Sequence, residues 1–347
     1  MPVLHSSGGT TPRHVSLVAI PDAAVSTLFG VFDVLSAFGS MGLSPAGGAP
    51  FRVEIVGEVA GPLGLVSGVA VDVQRAVDTI PATDIVIVPS VVVGPNGWVK
   101  HRYPRIVGWV REMYDRGAVL CSACSGIFLL AETGAFDGRD ATVHFNYARM
   151  FSAAYPAVSI HPERTLMISG AREELVSSGA SSTWHDMTLH LIARYAGATA
   201  AHDVARTFAL QWHHDGLTPY MVFEGRTDHG DADVARAQAW VAEHFPVADA
   251  VDGMIRQSTL AERTFKRRFT AATGLAPIAY VQRLRVEDAK RRLERTDAAV
   301  DEISWRVGYE EPAFFRRLFK RRTGLAPGAY RRRFRIPDYA RVRAGRA

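Results

Sequence analysis

Phe265-Lys266-Arg267-Arg268-Phe269, followed by Thr273-Gly274-Leu275-Ala276-Pro277 and Tyr280, returns fifty residues later as Phe315-Arg316-Arg317-Leu318-Phe319, Thr323-Gly324-Leu325-Ala326-Pro327 and Tyr330. So long a repeat marks two copies of one supersecondary unit. In each copy the two phenylalanines lie four apart on one helical face, with Arg and Lys on the other, and Gly274 or Gly324 stops the helix. The second copy reads as a first helix over residues 300–306, a turn at Val307-Gly308-Tyr309 and a second helix over 312–321, opened by Pro312, whose missing N–H costs little there. This is the pattern of a helix-turn-helix, whose second helix enters the major groove of DNA. The first copy reads as a helix over 254–258, a turn at Thr259-Leu260 and a helix over 262–270, with Ala261 where a capping Ser or Asp is favoured. Between the copies, residues 277–295 carry Tyr280, Leu284 and Leu293 at helical spacing and are expected to form a rigid spacer.

Charge supports the same reading. Residues 252–347 hold 24 Lys/Arg against 11 Asp/Glu, whereas the rest of the chain holds 16 against 24. A basic C-terminal part suits binding to phosphates, where each neutralised phosphate releases a counterion. At 347 residues the chain calls for two hydrophobic cores. Its 48% hydrophobic and 22% charged residues are ordinary for a globular protein, and no apolar stretch approaches a membrane span. Residues 1–14 are rich in Ser, Gly and Thr and lack the apolar core of a secretory signal, so they are expected to be a disordered leader on a cytoplasmic protein. Cys121 and Cys124 are the only cysteines, which excludes a secreted disulfide framework.

Upstream, short apolar runs at 15–20, 51–57, 84–88 and 118–121 alternate with helical patterns at 24–38, 102–116, 125–132 and 182–195. Further strands are expected at 165–169 and 175–178. That alternation predicts an α/β domain, doubly wound on a mostly parallel sheet, ahead of an all-α C-terminal domain. Around Cys124 the chain passes from an apolar strand through a tight turn into a helix, the outline of a nucleophile elbow. A helix N-terminus favours thiolate, so Cys124 is the residue expected to react, with His144 as its candidate partner. Ligands of such sheets collect beyond the carboxyl ends of the strands, so Thr27, Ser90, Cys124, Ser125, His144 and the Ser178-Gly179-Ala180 turn are expected to line one cleft. Cys121 and Cys124 also form a Cys-x-x-Cys spacing, but Cys121 should point into the sheet. His213 and His214 have no third ligand in view, so no metal is expected, nor any cofactor.

Residues 233–335 resemble the AraC/XylS family of bacterial regulators, through the repeated motif and the long helix between its copies. The resemblance implies Arg263, Lys266 and Arg267 as base-reading positions in the first recognition helix and Ala313, Arg316 and Arg317 in the second. Arginine can pair bidentately with guanine, while Ala313 offers only an apolar contact to a thymine methyl. Departures at Ile255, Thr259 and Ala261 predict that the first unit docks less firmly than the second.

Residues 15–196 resemble the ThiJ/PfpI group of the class I glutamine amidotransferase-like fold, through Cys124-Ser125-Gly126, Leu129-Leu130-Ala131 and Ala141-Thr142-Val143-His144-Phe145. The pairing with an AraC-type end is similar to regulators of the GlxA type. It implies a small amino-acid-like or quaternary amine effector and a homodimer on double-stranded DNA. Catalytic relatives hold an acid at the start of the first helix; here the matching position is Thr27. The expected organisation is a leader (1–13), an effector-sensing domain (14–212), a linker (213–232), a DNA-binding domain (233–335) and a basic tail (336–347). The expected function is a non-enzymatic, effector-controlled regulator. Its rivals are a cysteine-dependent hydrolase or hydratase and a thiol oxidation sensor, each joined to a DNA-binding end.

Overall fold

Ile85-Val86-Ile87-Val88 is β-branched throughout and wholly buried, as a strand covered by helices on both faces must be. In the computed structural model, which describes residues 11–40, 42, 48–94 and 97–340, this strand lies at the middle of a seven-stranded sheet. The chain divides into two units between Leu217 and Thr218.

The first unit runs β1 (Arg13–Val18), α1 (Val25–Ser40), β2 (Phe51–Gly57), β3 (Gly61–Gly64), β4 (Ala70–Val73), β5 (Arg75–Ala76), β6 (Ile85–Val88), α2 (Pro104–Asp115), β7 (Val119–Ala123), α3 (Ile127–Ala131), β8 (Asp140–Ala141), α4 (Ala148–Ala154), β9 (Ser159–Ile160), β10 (Leu166–Ser169), β11 (Leu175–Ser178), α5 (Trp184–Ala196) and α6 (Ala198–Thr207). The main sheet has the order β10-β11-β7-β6-β1-β2-β5. Every neighbouring pair in it is parallel except β10 with β11. Chain order reverses at β1 and β6, and the turn after β7 opens beside that reversal, where crossovers leave a crevice. The doubly wound fold is the expected one. Sequence reading missed the β3–β4 hairpin, α4 and α6, all too short or too mixed in composition to impose a period. Arg13, placed in the leader by the sequence reading, pairs with Phe51 in the sheet. Residues 1–10 of the leader and 341–347 of the basic tail lie outside the described residues.

The second unit contains α7 (Ala232–His244), α8 (Ala250–Arg256), α9 (Glu262–Thr273), α10 (Pro277–Arg295), α11 (Val300–Arg306), α12 (Pro312–Thr323) and α13 (Pro327–Phe334). Gly274 and Gly324 end α9 and α12 in the left-handed conformation. Two separate cores form. One joins Val234, Val241, Met254, Phe265, Phe269, Tyr280 and Val281; the other joins Val286, Leu293, Ile303, Val307, Phe315, Phe319 and Tyr330. Thus α10 gives its first turns to one lobe and its later turns to the other.

The stretch expected as a linker is anchored at both ends. His213 is bound by Asp186 through its backbone N (2.8 Å) and Nδ1 (2.6 Å), and Leu217 N donates to Glu163 O (2.8 Å), all within the first unit. In the second unit Lys290 Nζ donates to Met221 O at 2.6 Å. Among the described residues no helix is long and apolar enough to cross a membrane.

Candidate functional site

The turn after β7 places Cys124 at φ +53, the strained left-handed backbone that a nucleophile elbow requires. Its sharpness depends on Gly126. A Cβ there would lie 2.5 Å from the carbonyl oxygens of Val88 and Pro89, so the elbow can press against the end of β6 only without a side chain. Ser125 then locks the two loops together: its Oγ donates to Val91 O (2.6 Å) and accepts from Val91 N (2.9 Å). Thr27 Oγ1 donates to Ser90 Oγ at 3.1 Å, and Cys124 Sγ lies 3.7 Å from Ser181 Oγ. Four of the expected pocket residues, Thr27, Ser90, Cys124 and Ser125, therefore meet at the carboxyl ends of β6 and β7, with Ser181 added. Ser181 follows the Ser178-Gly179-Ala180 turn directly, and a serine-rich turn at a strand end was the available signal.

Two expected residues stand differently. Gly179 is a packing glycine, since a Cβ there would meet Arg164 O (2.5 Å), Leu217 Cδ1 (2.6 Å) and Thr142 Oγ1 (2.7 Å). His144 accepts a hydrogen bond from Asn146 N at Nδ1 (3.2 Å) and lies against Phe145 with ring centroids 4.3 Å apart, tilted by 35°. Among the described residues no hydrogen bond joins it to Cys124. Burial pushes the His144 pKa down, which keeps the ring neutral.

The thiolate expected at Cys124 is not favoured. With the residue 2% exposed, burial raises the thiol above its ordinary range, and hydrogen bonds with Ser181, Ser125 and Ser90 only oppose this. The physical reason is that α3 is a single short helix with little dipole to offer, whereas desolvation of a buried sulfur is large. Cys121, fully buried in β7, is pushed up to about 12 by burial.

On the second unit the two repeat helices carry their basic faces outward. Arg263, Lys266 and Arg267 are exposed on α9, as are Ala313, Arg316 and Arg317 on α12, while Phe265, Phe269, Phe315 and Phe319 are buried beneath them. Lys266 pairs with Glu262 and Arg316 with Asp301. Arg263, Arg267 and Arg317 have no ion pair among the described residues. Arg268, adjacent in sequence, turns inward, donating from Nε and Nη2 to the two carboxylate oxygens of Asp231 at 2.8 Å each.

An elbow on a doubly wound sheet, followed by two helix-turn-helix units, defines a class. The chain belongs to the DJ-1/PfpI family, whose model matches residues 17–193, and it carries a helix-turn-helix domain over residues 255–333, the pairing of an AraC-type transcriptional regulator. It is similar to the HTH-type transcriptional regulator CdhR of Pseudomonas aeruginosa, 26% identical over 278 residues that cover 76% of this chain and 77% of that protein. The HTH-type transcriptional activator RhaS of Salmonella arizonae is 34% identical over 94 residues, 27% of this chain and 34% of that one. Among solved structures, an AraC family transcriptional regulator from Pseudomonas putida covers 57% of this chain and 100% of its own at 16% identity, with a TM-score of 0.48.

Proposed function

We propose that the protein is a cytoplasmic, sequence-specific DNA-binding regulator whose N-terminal domain receives a small-molecule effector and performs no catalysis. The observation that carries this reading is the state of Cys124. The elbow holds a buried thiol among hydroxyls, its pKa raised by burial, with Thr27 where an acid would stand and, among the described residues, no Asp, Glu or His hydrogen-bonded to it. General base catalysis needs a base near its proton. The hydroxyls of Ser90 and Ser181 beside the thiol instead suit recognition of a small polar ligand. The cleft of Thr27, Ser90, Cys124, Ser125 and His144, with Gly179 packing its wall, is assigned to an effector of the amino-acid or quaternary amine class. Arg263, Lys266, Arg267, Ala313, Arg316 and Arg317 are assigned to double-stranded DNA, read by a homodimer of the full chain. Domains are assigned as 14–212 for sensing and 233–335 for DNA.

The test is a thermal-shift screen of the full-length protein and Cys124→Ala against amino acids, betaines and related amines, with ammonia release followed in the same wells. A ligand at about 100 times its Kd adds about 2.7 kcal/mol to the domain it occupies. A melting shift without turnover is the expected result. Turnover lost in Cys124→Ala would establish a hydrolase in its place. Peroxide that alters DNA affinity in the parent but not in Cys124→Ala would establish an oxidation sensor.

A further inference from the structure

A buried cation with no ion pair among the described residues needs an explanation. Arg285 is 8% exposed in the middle of α10, where that helix passes from one core to the other. Its guanidinium makes three hydrogen bonds, all to main-chain carbonyls: Nε to Phe245 O (2.7 Å), Nη2 to Val247 O (2.8 Å) and Nη1 to Gly308 O (2.8 Å). It also lies 5.0 Å over the ring of Tyr309. Phe245 and Val247 belong to the connection between α7 and α8 in the first lobe. Gly308 is the turn of the second helix-turn-helix.

For cohesion alone an apolar side chain would be cheaper here, because burying a charge is costly unless its geometry is excellent. What a guanidinium adds is direction. Its planar fork holds three acceptors at set angles, which an ammonium cannot do. The backbones themselves touch at this place: Gly308 has φ +92, and a Cβ on it would lie 2.2 Å from Pro246 O. The equivalent position of the first copy is Ser258, outside this contact. The repeat is thus broken at the point where its two copies meet.

We infer that Arg285, with the Gly308–Pro246 contact beside it, is the positioning residue that fixes the separation of the two recognition helices and so the half-site spacing the protein accepts on DNA. Helix α10 by itself sets an axis about which the lobes could pivot; the three carbonyl bonds remove that pivot. The inference rests on the DNA-binding reading above. Adjacent major-groove faces recur every 10–10.5 base pairs, so each inserted pair both translates and rotates one half-site relative to the other.

The experiment uses full-length protein, a duplex obtained by selection from random DNA, and derivatives whose half-sites are moved apart or together by one or two base pairs. Affinities are read by fluorescence anisotropy for the parent, Arg285→Lys and Gly308→Ala, each checked for folding by its melting curve. The parent should lose about tenfold in affinity for a shift of one pair, the size of a lost base contact. Arg285→Lys should bind the best duplex about tenfold more weakly yet discriminate between spacings less than about threefold, with affinity for a single half-site unchanged. Gly308→Ala, whose Cβ would lie 2.2 Å from Pro246 O and 3.0 Å from Arg285 Cζ and so disturb both the backbone contact and the arginine clasp, should flatten the same profile. A folded variant of either kind that keeps the parent's spacing profile, or weakens single half-sites as much as paired ones, overturns the proposal. A parent that selects no duplex at all would defeat the DNA-binding reading itself, which the parent curve alone reveals.

Discussion

The two helix-turn-helix copies share a motif and are closed by different forces. At matched positions the first copy has Arg268 and the second Leu318. Leu318 is buried in an apolar core, while Arg268 reaches across to Asp231, the residue that caps α7 by accepting from Val234 N at 3.2 Å. At the turn, Gly308 adopts a left-handed backbone against Pro246 O, whereas Ser258 uses its Oγ to hold Ile255 O at 2.8 Å. One lobe is therefore sealed by packing and a backbone contact, the other in part by charge. Divergent copies can keep one outer face, the basic one, while their inner supports are replaced piece by piece.

The largest effects test whether the lobes are separate. Phe319→Ala and Phe269→Ala each remove a fully buried ring and should cost about 3–5 kcal/mol. Followed by amide hydrogen exchange, each should deprotect mainly its own lobe, α12 in one case and α9 in the other. Equal loss in both helices from either variant would mean a single cooperative unit. At the turns, Gly308→Ala combines a left-handed backbone with a clash and should cost about 1–3 kcal/mol, whereas Ser258→Ala should stay near about 0.5 kcal/mol in urea unfolding.

On the DNA face, Arg317→Ala should lower specific affinity by about 1–3 kcal/mol and relax base preference at one position. Arg267→Ala, in the copy whose turn lacks the glycine, should do less. A loss uniform across sequences in either variant would mark a phosphate contact. The smallest effect concerns pH. The hydrogen bonds from Arg268 hold the Asp231 carboxyl below the ordinary carboxylate range. A carboxylate with a depressed folded pKa contributes stability that is complete above the unfolded value, about 3.9, and is lost as pH falls through the folded one. Exchange protection of α9 should thus drop on acidification toward pH 3 more steeply than that of α12. Asp231→Asn, which keeps a capping oxygen, should flatten that difference.

Much of this was legible in the chain. The repeat located α9 and α12, and α10 and α11 have the bounds that their patterns predict, because local periodicity, Pro at a helix start and Gly at its end act within a few residues. The elbow at Cys124 was legible for the same reason. Its protonation was not. Helix-dipole reasoning is local and favours thiolate, whereas the desolvation that prevails comes from the whole domain closing over the sulfur. Ser181 reaches Cys124 across 57 residues of chain, and Gly179 packs against Arg164, Thr142 and Leu217, contacts that no local pattern announces.

By itself the sequence determined the two-domain plan, the doubly wound sheet, the duplicated helix-turn-helix and which side chains face outward from it, since periodicity, turn residues and charge are written residue by residue. Only the tertiary structure decided that Arg285 would clasp Phe245, Val247 and Gly308, that Arg268 would turn to Asp231, and that Cys124 would be buried, with its thiol pKa raised by that burial. Those three outcomes depend on carbonyls, carboxylates and apolar cover supplied from 23 to 57 residues away, and no local pattern encodes what a distant segment will bring.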